Sequence, residues 1–440
     1  MKHYSALILS ALLCLSVVGC SNQQNSPDKQ SAQSSVSESV TETSDNSKAD
    51  ADESAESRQD ESSKESKNMI FGIEIVDKDG NLIGEIPQNV GVTMTNHGIF
   101  YLVNENADND QGLTAAAINE GEKNRISYHL YDPQSKEDYS FGIVPEQDYE
   151  AGYARIELND KLYTIITTGN AMDQEPDKML LLEFDLKEHT IAKYPISDNG
   201  FPYTAMTEMD GNLLILNHDQ TDTLHDRLYF FDTDTKTTKE VLTFELANDQ
   251  GDSIRSMYSD GQSLYLLRLH FDGADTVKMM LDTYDRNFQK LSEKDVSSLL
   301  AKAVSGSLTA DDVVNETKQM VSSFQVLNEK YLYYENFSVT RFLADTESGA
   351  LFEEISGKTA AASTGSGKKC FCLIYSENKD ENLIYEWNND HLEKTVFNAS
   401  DDRYYITLIS RSPDGNTLIQ VDYTDPNNRN NTLPTKLYLL

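Results

Sequence analysis

Residues 210–244 read DGNLLILNHDQTDTLHDRLYFFDTDTKTTKEVLTF. The stretch opens with Asp210-Gly211, a pair that tolerates the positive φ angles of a two-residue hairpin turn. An apolar strand follows, then a polar connection, a second apolar strand that ends at Asp232, a short turn and a further strand. Short apolar runs separated by turn residues in this way predict antiparallel β structure.

The same pattern recurs through residues 69–440, although its letters vary. A polar turn followed by an apolar, aromatic-rich strand begins at Asn96, Asn159, Asp210, Asp260, Asn328, Gly367 and Asp414. An apolar strand that ends in Asp or Asn before a turn recurs at Asp132, Asp185, Asp232, Asp285, Asp345 and Asn388. Four short strands in each repeat are typical of a propeller blade. The sequence therefore predicts an all-β fold, a seven-bladed β-propeller with four-stranded antiparallel blades.

A hairpin pattern outside the repeats predicts how the ring closes. The stretch GIEIVDKDGNLIGEI begins at Gly72, before the first repeat, and the last repeat reaches Leu440 without a pattern for its fourth strand. An N-terminal strand that completes the last blade would leave few exposed sheet edges. Residues 70–76, residues 81–87 or both could supply it. Six or eight blades, or a two-sheet sandwich, are the alternative folds.

This blade pattern resembles the bacterial extracytoplasmic propellers with PQQ-like or YVTN-like repeats. The resemblance spans nearly all of residues 69–440, but it lies in the strand pattern alone. No cofactor motif of either group is matched residue by residue, so we expect no cofactor. The resemblance implies a fold and leaves the function open, because one fold hosts many functions.

The first twenty residues read MKHYSALILSALLCLSVVGC. Basic Lys2 precedes an apolar run over residues 6–18, which is short for a membrane span and suits the core of a signal peptide. The end of this segment, Val17-Val18-Gly19-Cys20, resembles the bacterial lipobox. That resemblance implies that residues 1–20 form a lipoprotein signal peptide and that Cys20 becomes a lipidated N-terminus on the extracytoplasmic face of the cell membrane.

Residues 21–68 are rich in serine and acidic residues and carry no large apolar side chain. Such a segment cannot bury enough surface to offset the entropy of ordering, so we expect a disordered tether. Its mean reach as a flexible coil is about 40 Å. It resembles the spacers that hold the domains of Gram-positive lipoproteins off the membrane.

The charge of the chain narrows the choice of partners. It has 73 acidic and 37 basic residues, which gives a formal net charge of −36. A surface this acidic repels nucleic acid, which we therefore do not expect as a partner. Cations, basic peptides and neutral ligands such as glycans are compatible with it.

The longer connections are predicted to lie on one face of the propeller. Turns between strands one and two and between strands three and four share one face, because strand direction alternates, and the other connections share the opposite face. The long segments are 104–124, 168–177, 217–226 and 424–434, and a helical insertion at about 294–316 in which Asp295 is a helix cap. Loops gathered on a rigid scaffold are typical of a binding face, here for a protein, peptide or glycan.

Acidic residues and histidines in or beside these connections are the candidate ligand-binding residues: Asp108, Asp110, Asp173, His218, Asp222, His225 and Asp272. Asp108 and Asp110 alternate as calcium ligands do, but the segment lacks the glycine and terminal glutamate of an EF-hand loop. A calcium site and a solvated acidic loop both fit that segment. His218 and His225 match no established zinc spacing.

The sequence contains neither a G-x-S-x-G nor an H-E-x-x-H motif, so nothing in it indicates a serine or zinc hydrolase. We therefore expect a non-catalytic binding or scaffolding module attached to the membrane through its lipid. One alternative is an extracellular enzyme that acts on a glycan or peptide through carboxylates dispersed over several blades. Another is a sensory domain that works through a membrane partner.

Overall fold

The structure is a computed structural model of the chain. The chain divides into two units, Met1–Asn68 and Met69–Leu440, and every described residue belongs to the second. The structure describes residues 72–87, 91–105, 126–144, 155–168, 177–200, 205–218, 225–245, 253–271, 277–297, 322–326, 330–336, 341–350, 360–364, 370–375, 382–388, 391–397, 404–424 and 432–440.

The described residues form strands β1 to β28. In the N-terminal half these are β1 (Gly72–Asp77), β2 (Leu82–Pro87), β3 (Gly91–Thr95), β4 (Gly98–Asn104), β5 (Ile126–Asp132), β6 (Glu137–Ile143), β7 (Arg155–Leu158), β8 (Lys161–Thr168), β9 (Asp177–Asp185), β10 (Thr190–Gly200), β11 (Ala205–Met209), β12 (Asn212–His218), β13 (His225–Asp232) and β14 (Thr237–Glu245). In the C-terminal half they are β15 (Ser253–Ser259), β16 (Leu264–Phe271), β17 (Val277–Tyr284), β18 (Lys290–Asp295), β19 (Ser322–Val326), β20 (Tyr331–Asn336), β21 (Arg341–Asp345), β22 (Ala360–Thr364), β23 (Cys370–Tyr375), β24 (Asn382–Asn388), β25 (His391–Phe397), β26 (Tyr404–Arg411), β27 (Thr417–Thr424) and β28 (Thr432–Leu439).

These strands form seven sheets, which confirms the predicted seven-bladed β-propeller. Blades 1 to 6 are β3–β6, β7–β10, β11–β14, β15–β18, β19–β21 and β22–β25, and blade 7 is β26–β28 together with β1 and β2. Strands that follow one another within a blade pair antiparallel, as in β11–β12–β13–β14. Blade 5 has three strands among the described residues, and each other blade has at least four.

Both strands of the N-terminal hairpin close the ring, which answers the question that the sequence left open. Blade 7 has the strand order β2-β1-β28-β27-β26. Strand β1 pairs parallel with β28, from Glu74 opposite Lys436 to Asp77 opposite Leu439. Strand β2 then pairs antiparallel with β1. It therefore has the direction of an ordinary fourth strand and leads into β3 as β6 of blade 1 leads into β7 of blade 2.

The recurring Asp after a third strand has a local structural role. In each of six described turns an Asp Oδ1 accepts the backbone N–H two residues further on, at 2.8–3.1 Å. These residues are Asp77, Asp132, Asp185, Asp232, Asp285 and Asp345. Asp forms such turns because its short side chain reaches its own backbone. Asp77 shares the pattern, so the β1–β2 hairpin is built like the outer hairpin of a blade.

The apolar core lies between neighbouring blades. One cluster joins blades 7 and 1, with Ile75 and Ile86 of the closing hairpin against Tyr101 and Tyr131. Further clusters join blades 1 and 2, blades 2 and 3, and blades 3 and 4. Strand alternation turns one apolar row of a sheet toward each neighbour, so each of these four interfaces buries apolar surface, which is the main favourable term in folding.

The innermost strands also bind one another through buried hydroxyl groups. Met94 donates its backbone N–H to Ser410 Oγ at 2.9 Å, from blade 1 to blade 7. The N–H of Val326 in blade 5 donates in the same way to Ser256 Oγ in blade 4, also at 2.9 Å. These contacts provide partners for buried edge N–H groups that would otherwise destabilise the ring.

The predicted insertions are described only at their ends. Lys294 and Asp295 finish β18, and Asp295 accepts the N–H of Ser297 at 2.9 Å, a hydrogen bond of the predicted capping kind. The rest of the predicted helical insertion, residues 298–316, lies outside the described residues, as do most of residues 104–124, 168–177 and 424–434.

Candidate functional site

The propeller has two unlike faces. We call the turn face the one that carries the turns between strands one and two and between strands three and four; it includes 159–160, 186–189 and 233–236. The loop face carries the other connections. In blade 1, for example, the loop face is the side on which β4 ends at Asn104 and β5 begins at Ile126. The longest chain segments between described strands of one blade therefore leave from the loop face.

The chain also enters the propeller at the loop face. Strand β1 runs parallel to β28, a third strand of its blade, and third strands run from the loop face to the turn face. Gly72 therefore lies at the loop face and Asp77 at the turn face.

Most of the predicted ligand-binding residues lie outside the described residues: Asp108, Asp110, Asp173, Asp222, Asp272 and the lipidation site Cys20. The structure therefore does not bring them together or separate them.

His218 and His225 lie on strands, which corrects the prediction that they share an irregular loop. Strand β12 extends through His218 and β13 begins at His225, since the ladder continues to the pair His218–Asp226. Asp226 is buried, and its Oδ2 accepts the N–H of Ile254 in blade 4 at 2.9 Å. Asp226 thus joins blades 3 and 4, a structural role that the sequence did not indicate.

Blade 1 holds a chain of polar side chains that motif searching missed. Ser127 Oγ lies 2.6 Å from Glu105 Oε1 and 2.9 Å from His129 Nε2. His129 Nδ1 lies 3.6 Å from Asp138 Oδ2, which also accepts the Tyr101 hydroxyl at 2.8 Å. The Tyr101 ring stacks on the imidazole with 5.0 Å between centroids. Burial, together with the charge of Asp138, raises the pKa of Tyr101.

Serine, histidine and aspartate occur here in the order of a hydrolytic triad, but their geometry does not suit a nucleophilic serine. Ser127 is only 4% exposed. Its hydroxyl donates to Glu105, so that proton is directed away from His129. A nucleophilic serine instead needs its proton on the histidine side and an open approach to the oxygen. The hydrogen bonds from Ser127 to Glu105 and to His129 tie the residue that follows β4 to β5, whereas Asp138 of β6 lies beyond hydrogen-bond distance of His129.

A second polar cluster joins three blades at the turn face. Both carboxylate oxygens of Glu157, on the inner strand of blade 2, accept the N–H of Asn96 in blade 1, at 2.9 and 3.2 Å. Asn96 Oδ1 in turn accepts the N–H of Asp414 in blade 7 at 3.0 Å. Beside them, His97 Nε2 lies 2.8 Å from Asp160 Oδ1. Burial raises the pKa of Glu157 to about 7, although the N–H of Asn96 opposes that shift.

A third cluster joins blades 2 and 3. The buried carboxylate of Glu183 pairs with Lys161 at 2.5 Å and with Lys236 of the neighbouring blade. Burial acts to raise the pKa of Glu183, but the two ammonium groups outweigh it and hold that pKa below its usual value. Lys236 also lies 5.9 Å from the ring centroid of Tyr163, within cation–π range.

In blade 4, Asp282 is buried beside Lys290 and Arg268, with Lys290 Nζ 3.1 Å from Asp282 Oδ1. Here burial prevails and raises the pKa of Asp282, since the two cations offset it only in part. In both clusters a buried carboxylate lies beside two cationic side chains.

Among the described residues no three His, Cys, Asp or Glu side chains converge as a metal site would require. No helix within the described part of the chain is long and apolar enough to cross a membrane.

No protein-family model matches the chain. Comparison with curated proteins also finds no match. Among solved structures, the β-propeller domain of the trilobed protease from Pyrococcus furiosus is 12% identical, with 64% of this chain and 82% of that chain covered and a TM-score of 0.37.

Two other solved structures are peptidases of which this chain spans about half the length. A puromycin-hydrolysing peptidase of Mycobacterium tuberculosis is 8% identical over 80% of this chain and 50% of that one, with a TM-score of 0.45. The acylaminoacyl peptidase of Pyrococcus horikoshii is 10% identical over 67% of this chain and 52% of that one, with a TM-score of 0.35.

Proposed function

We propose that the chain is a lipid-anchored, extracytoplasmic β-propeller that binds a protein, peptide or glycan on its loop face without catalysing a reaction. The observation that carries this proposal is the asymmetry of the two faces. The turn face consists largely of short turns whose Asp carboxylates bond their own backbone. The loop face receives the connections between second and third strands and between blades, and binding residues on rigid scaffolds are concentrated in such segments.

The polar clusters of the described residues support a non-catalytic role. The Ser127 hydroxyl is directed to Glu105, and Glu183 is neutralised by two lysines. Each of these groups is paired with another side chain of its own or the neighbouring blade.

The anchoring part of the proposal is motivated by the lipobox-like sequence that ends at Cys20 and by the serine-rich segment 21–68. Two or more acyl chains give the stable attachment that a single chain does not. A tether with a reach of about 40 Å leaves room for a partner between the propeller and the membrane.

A pair of photo-cross-linking variants tests the binding face on the full chain in its host cells. A photoreactive side chain replaces Lys178, which is exposed at the loop-face end of β9, or Glu188, which is exposed in a turn of the turn face. We expect cross-linked partners from position 178 and few from position 188. Shortening residues 104–124 or 294–316 should reduce the yield from position 178. A higher yield from position 188 would refute the assignment of the face.

The anchor is tested separately by metabolic labelling with an alkyne fatty acid. The unchanged chain should incorporate the label and sediment with membranes, whereas Cys20→Ala should do neither. Labelling that persists in Cys20→Ala would reject the lipobox.

A further inference from the structure

The cluster around Glu157 combines features that a proton-sensitive contact needs. The side chain is 7% exposed and lies where the inner strand of blade 2 meets the Asn96–His97 turn of blade 1. Its carboxylate holds one backbone N–H of that turn through both oxygens. The contact between the two blades at this point therefore depends directly on the state of one carboxyl group.

Both acidic and basic side chains surround Glu157. Blade 1 contributes His97, blade 2 contributes Asp160, and the turn of blade 7 contributes Asp414, all of which act electrostatically on Glu157. Arg155 lies two residues earlier on the same face of the strand, with its guanidinium bonded to Thr93 Oγ1 at 2.7 Å. The outermost group is Lys187, which pairs with Asp160 at 2.7 Å.

We propose that Glu157 is a proton-controlled latch between blades 1 and 2: with the carboxyl group neutral the Asn96–His97 turn stays docked, and with the group ionised the turn opens to water more often. An ionised Glu157 is desolvated and lies near the carboxylates of Asp160 and Asp414, which costs free energy that opening relieves. The neutral group loses that penalty, and its carbonyl oxygen still accepts the N–H of Asn96.

The pKa of Glu157, raised to about 7 by burial, supports this direction. In the open state the group meets water and has a pKa near its ordinary value of 4.5. The docked state therefore holds the proton more tightly, and docking weakens as pH rises between those two values. The weakening approaches tenfold per pH unit in that window and stops above the pKa of the docked state.

The proposed opening also affects the contact between blades 1 and 7, because Asn96 binds the turn of blade 7. Its Oδ1 accepts the N–H of Asp414 at 3.0 Å, so release of the Asn96–His97 turn loosens a contact to blade 7 as well as one to blade 2. The effect belongs to the propeller alone. It does not depend on the lipid anchor or on the partner of the loop face.

Hydrogen exchange of the Asn96 amide on the full chain tests the latch, with each rate corrected for the intrinsic dependence of exchange on pH. We expect protection of Asn96 to fall at least tenfold from pH 5 to pH 7 and then to level off. The amide of Leu182, buried in blade 2, serves as the reference for global opening and should keep its protection.

Glu157→Gln removes the titration while it keeps the shape of the side chain, so its protection at Asn96 should not vary with pH. The matched control is Glu208→Gln, because Glu208 stands at the equivalent place in blade 3 but accepts the N–H of Gly211 in its own hairpin, at 2.8 Å. In Glu208→Gln, protection of the Asn96 amide should depend on pH as it does in the wild type. A flat wild-type profile, or an equal slope in Glu157→Gln, overturns the proposal. If Glu157→Gln does not fold, the wild-type profile alone decides.

Discussion

Glu74 in the first strand of the propeller forms a 3.2 Å ion pair with Lys436 in the last. The two residues are also direct partners in the parallel β1–β28 ladder. Both side chains are partly exposed, so the pair itself contributes little to stability. What it marks is the register in which the N-terminal hairpin closes the ring. Most of the stabilisation at this junction comes from apolar side chains between the hairpin and blade 1.

A substitution of Ile75 tests this apolar junction, because the Ile75 side chain of β1 is fully buried against blade 1. Ile75→Ala should lower the free energy of unfolding by about 2–5 kcal/mol, since the lost side chain leaves a cavity. Urea denaturation measures the change. Leu82→Ala in the same hairpin is the control and should stay within about 0.5 kcal/mol of wild type, because Leu82 is 64% exposed. Equal effects of the two substitutions would contradict the closure.

Gly98 and Gly142 form a second matched pair, since both have positive φ angles in blade 1, +134° and +84°. A Cβ on Gly98 would lie 2.3 Å from the carbonyl oxygen of Tyr131, whereas one on Gly142 meets no atom within 4 Å. Gly142→Ala should therefore cost about 1–2 kcal/mol for the backbone angle alone. Gly98→Ala should cost clearly more in thermal or urea unfolding. A smaller loss for Gly98→Ala would mean that the first turn of blade 1 is built differently.

Glu183 should make the stability of blades 2 and 3 sensitive to acid. The lysines at 161 and 236 hold the pKa of Glu183 below its usual value, so its contribution is present at neutral pH and is lost as pH falls through that lowered pKa. Glu183→Gln should lower the free energy of unfolding at pH 7 by about 3–5 kcal/mol, the usual cost of breaking a buried ion pair.

The difference between wild type and Glu183→Gln should shrink in acid, where the wild type also loses its carboxylate charge. Chemical denaturation at several pH values measures this, with the exposed Glu188→Gln as the control. A difference that stays constant down to acid pH would show that the ion pairs do not carry the effect.

Ser127 should not react with a fluorophosphonate probe that labels nucleophilic serines. Its hydroxyl donates to Glu105, and the side chain is buried. Mass spectrometry of the treated chain would show whether Ser127 is modified, with a serine hydrolase treated in parallel as the positive control. Stoichiometric labelling of Ser127 that disappears in His129→Ala would reject the non-catalytic role.

The features that the sequence predicted well are those that depend on residues close together in the chain, such as the turns after the third strands. Asp132, Asp185 and Asp232 recur because each forms the same side-chain turn after a third strand, and that signal is visible in single residues. The sequence also predicted that the N-terminal hairpin closes the ring, but it did not predict which strand pairs with the last blade or in which direction. The partner of β1 is β28, at the other end of the described chain, and no local pattern selects a parallel pairing over an antiparallel one.

The exact ends of strands and the polar clusters were also not predictable from local sequence. His218 and His225 were assigned to a loop because polar residues at strand ends carry no apolar alternation, although the ladder extends to both. Ser127 and His129 are two residues apart, so the sequence places them on one face of a strand. Their neighbours come from elsewhere, Glu105 from the turn after β4 and Asp138 from β6, and the contact of Glu157 with Asn96 crosses between blades. Such groupings exist only once the ring has formed.

The measurement that tests the closed ring most directly is an engineered disulfide between positions 74 and 436. Neighbouring parallel strands lie about 4.8 Å apart, which is within the Cα separation that a disulfide can span. Cysteines at both positions should form an intramolecular bond, identified by mass spectrometry of the linked peptides from monomeric protein. The control pair, positions 82 and 436, should not, because β1 lies between β2 and β28. Absence of the 74–436 bond, or equal bonding by the control pair, would contradict the ring closed by β1 on β28.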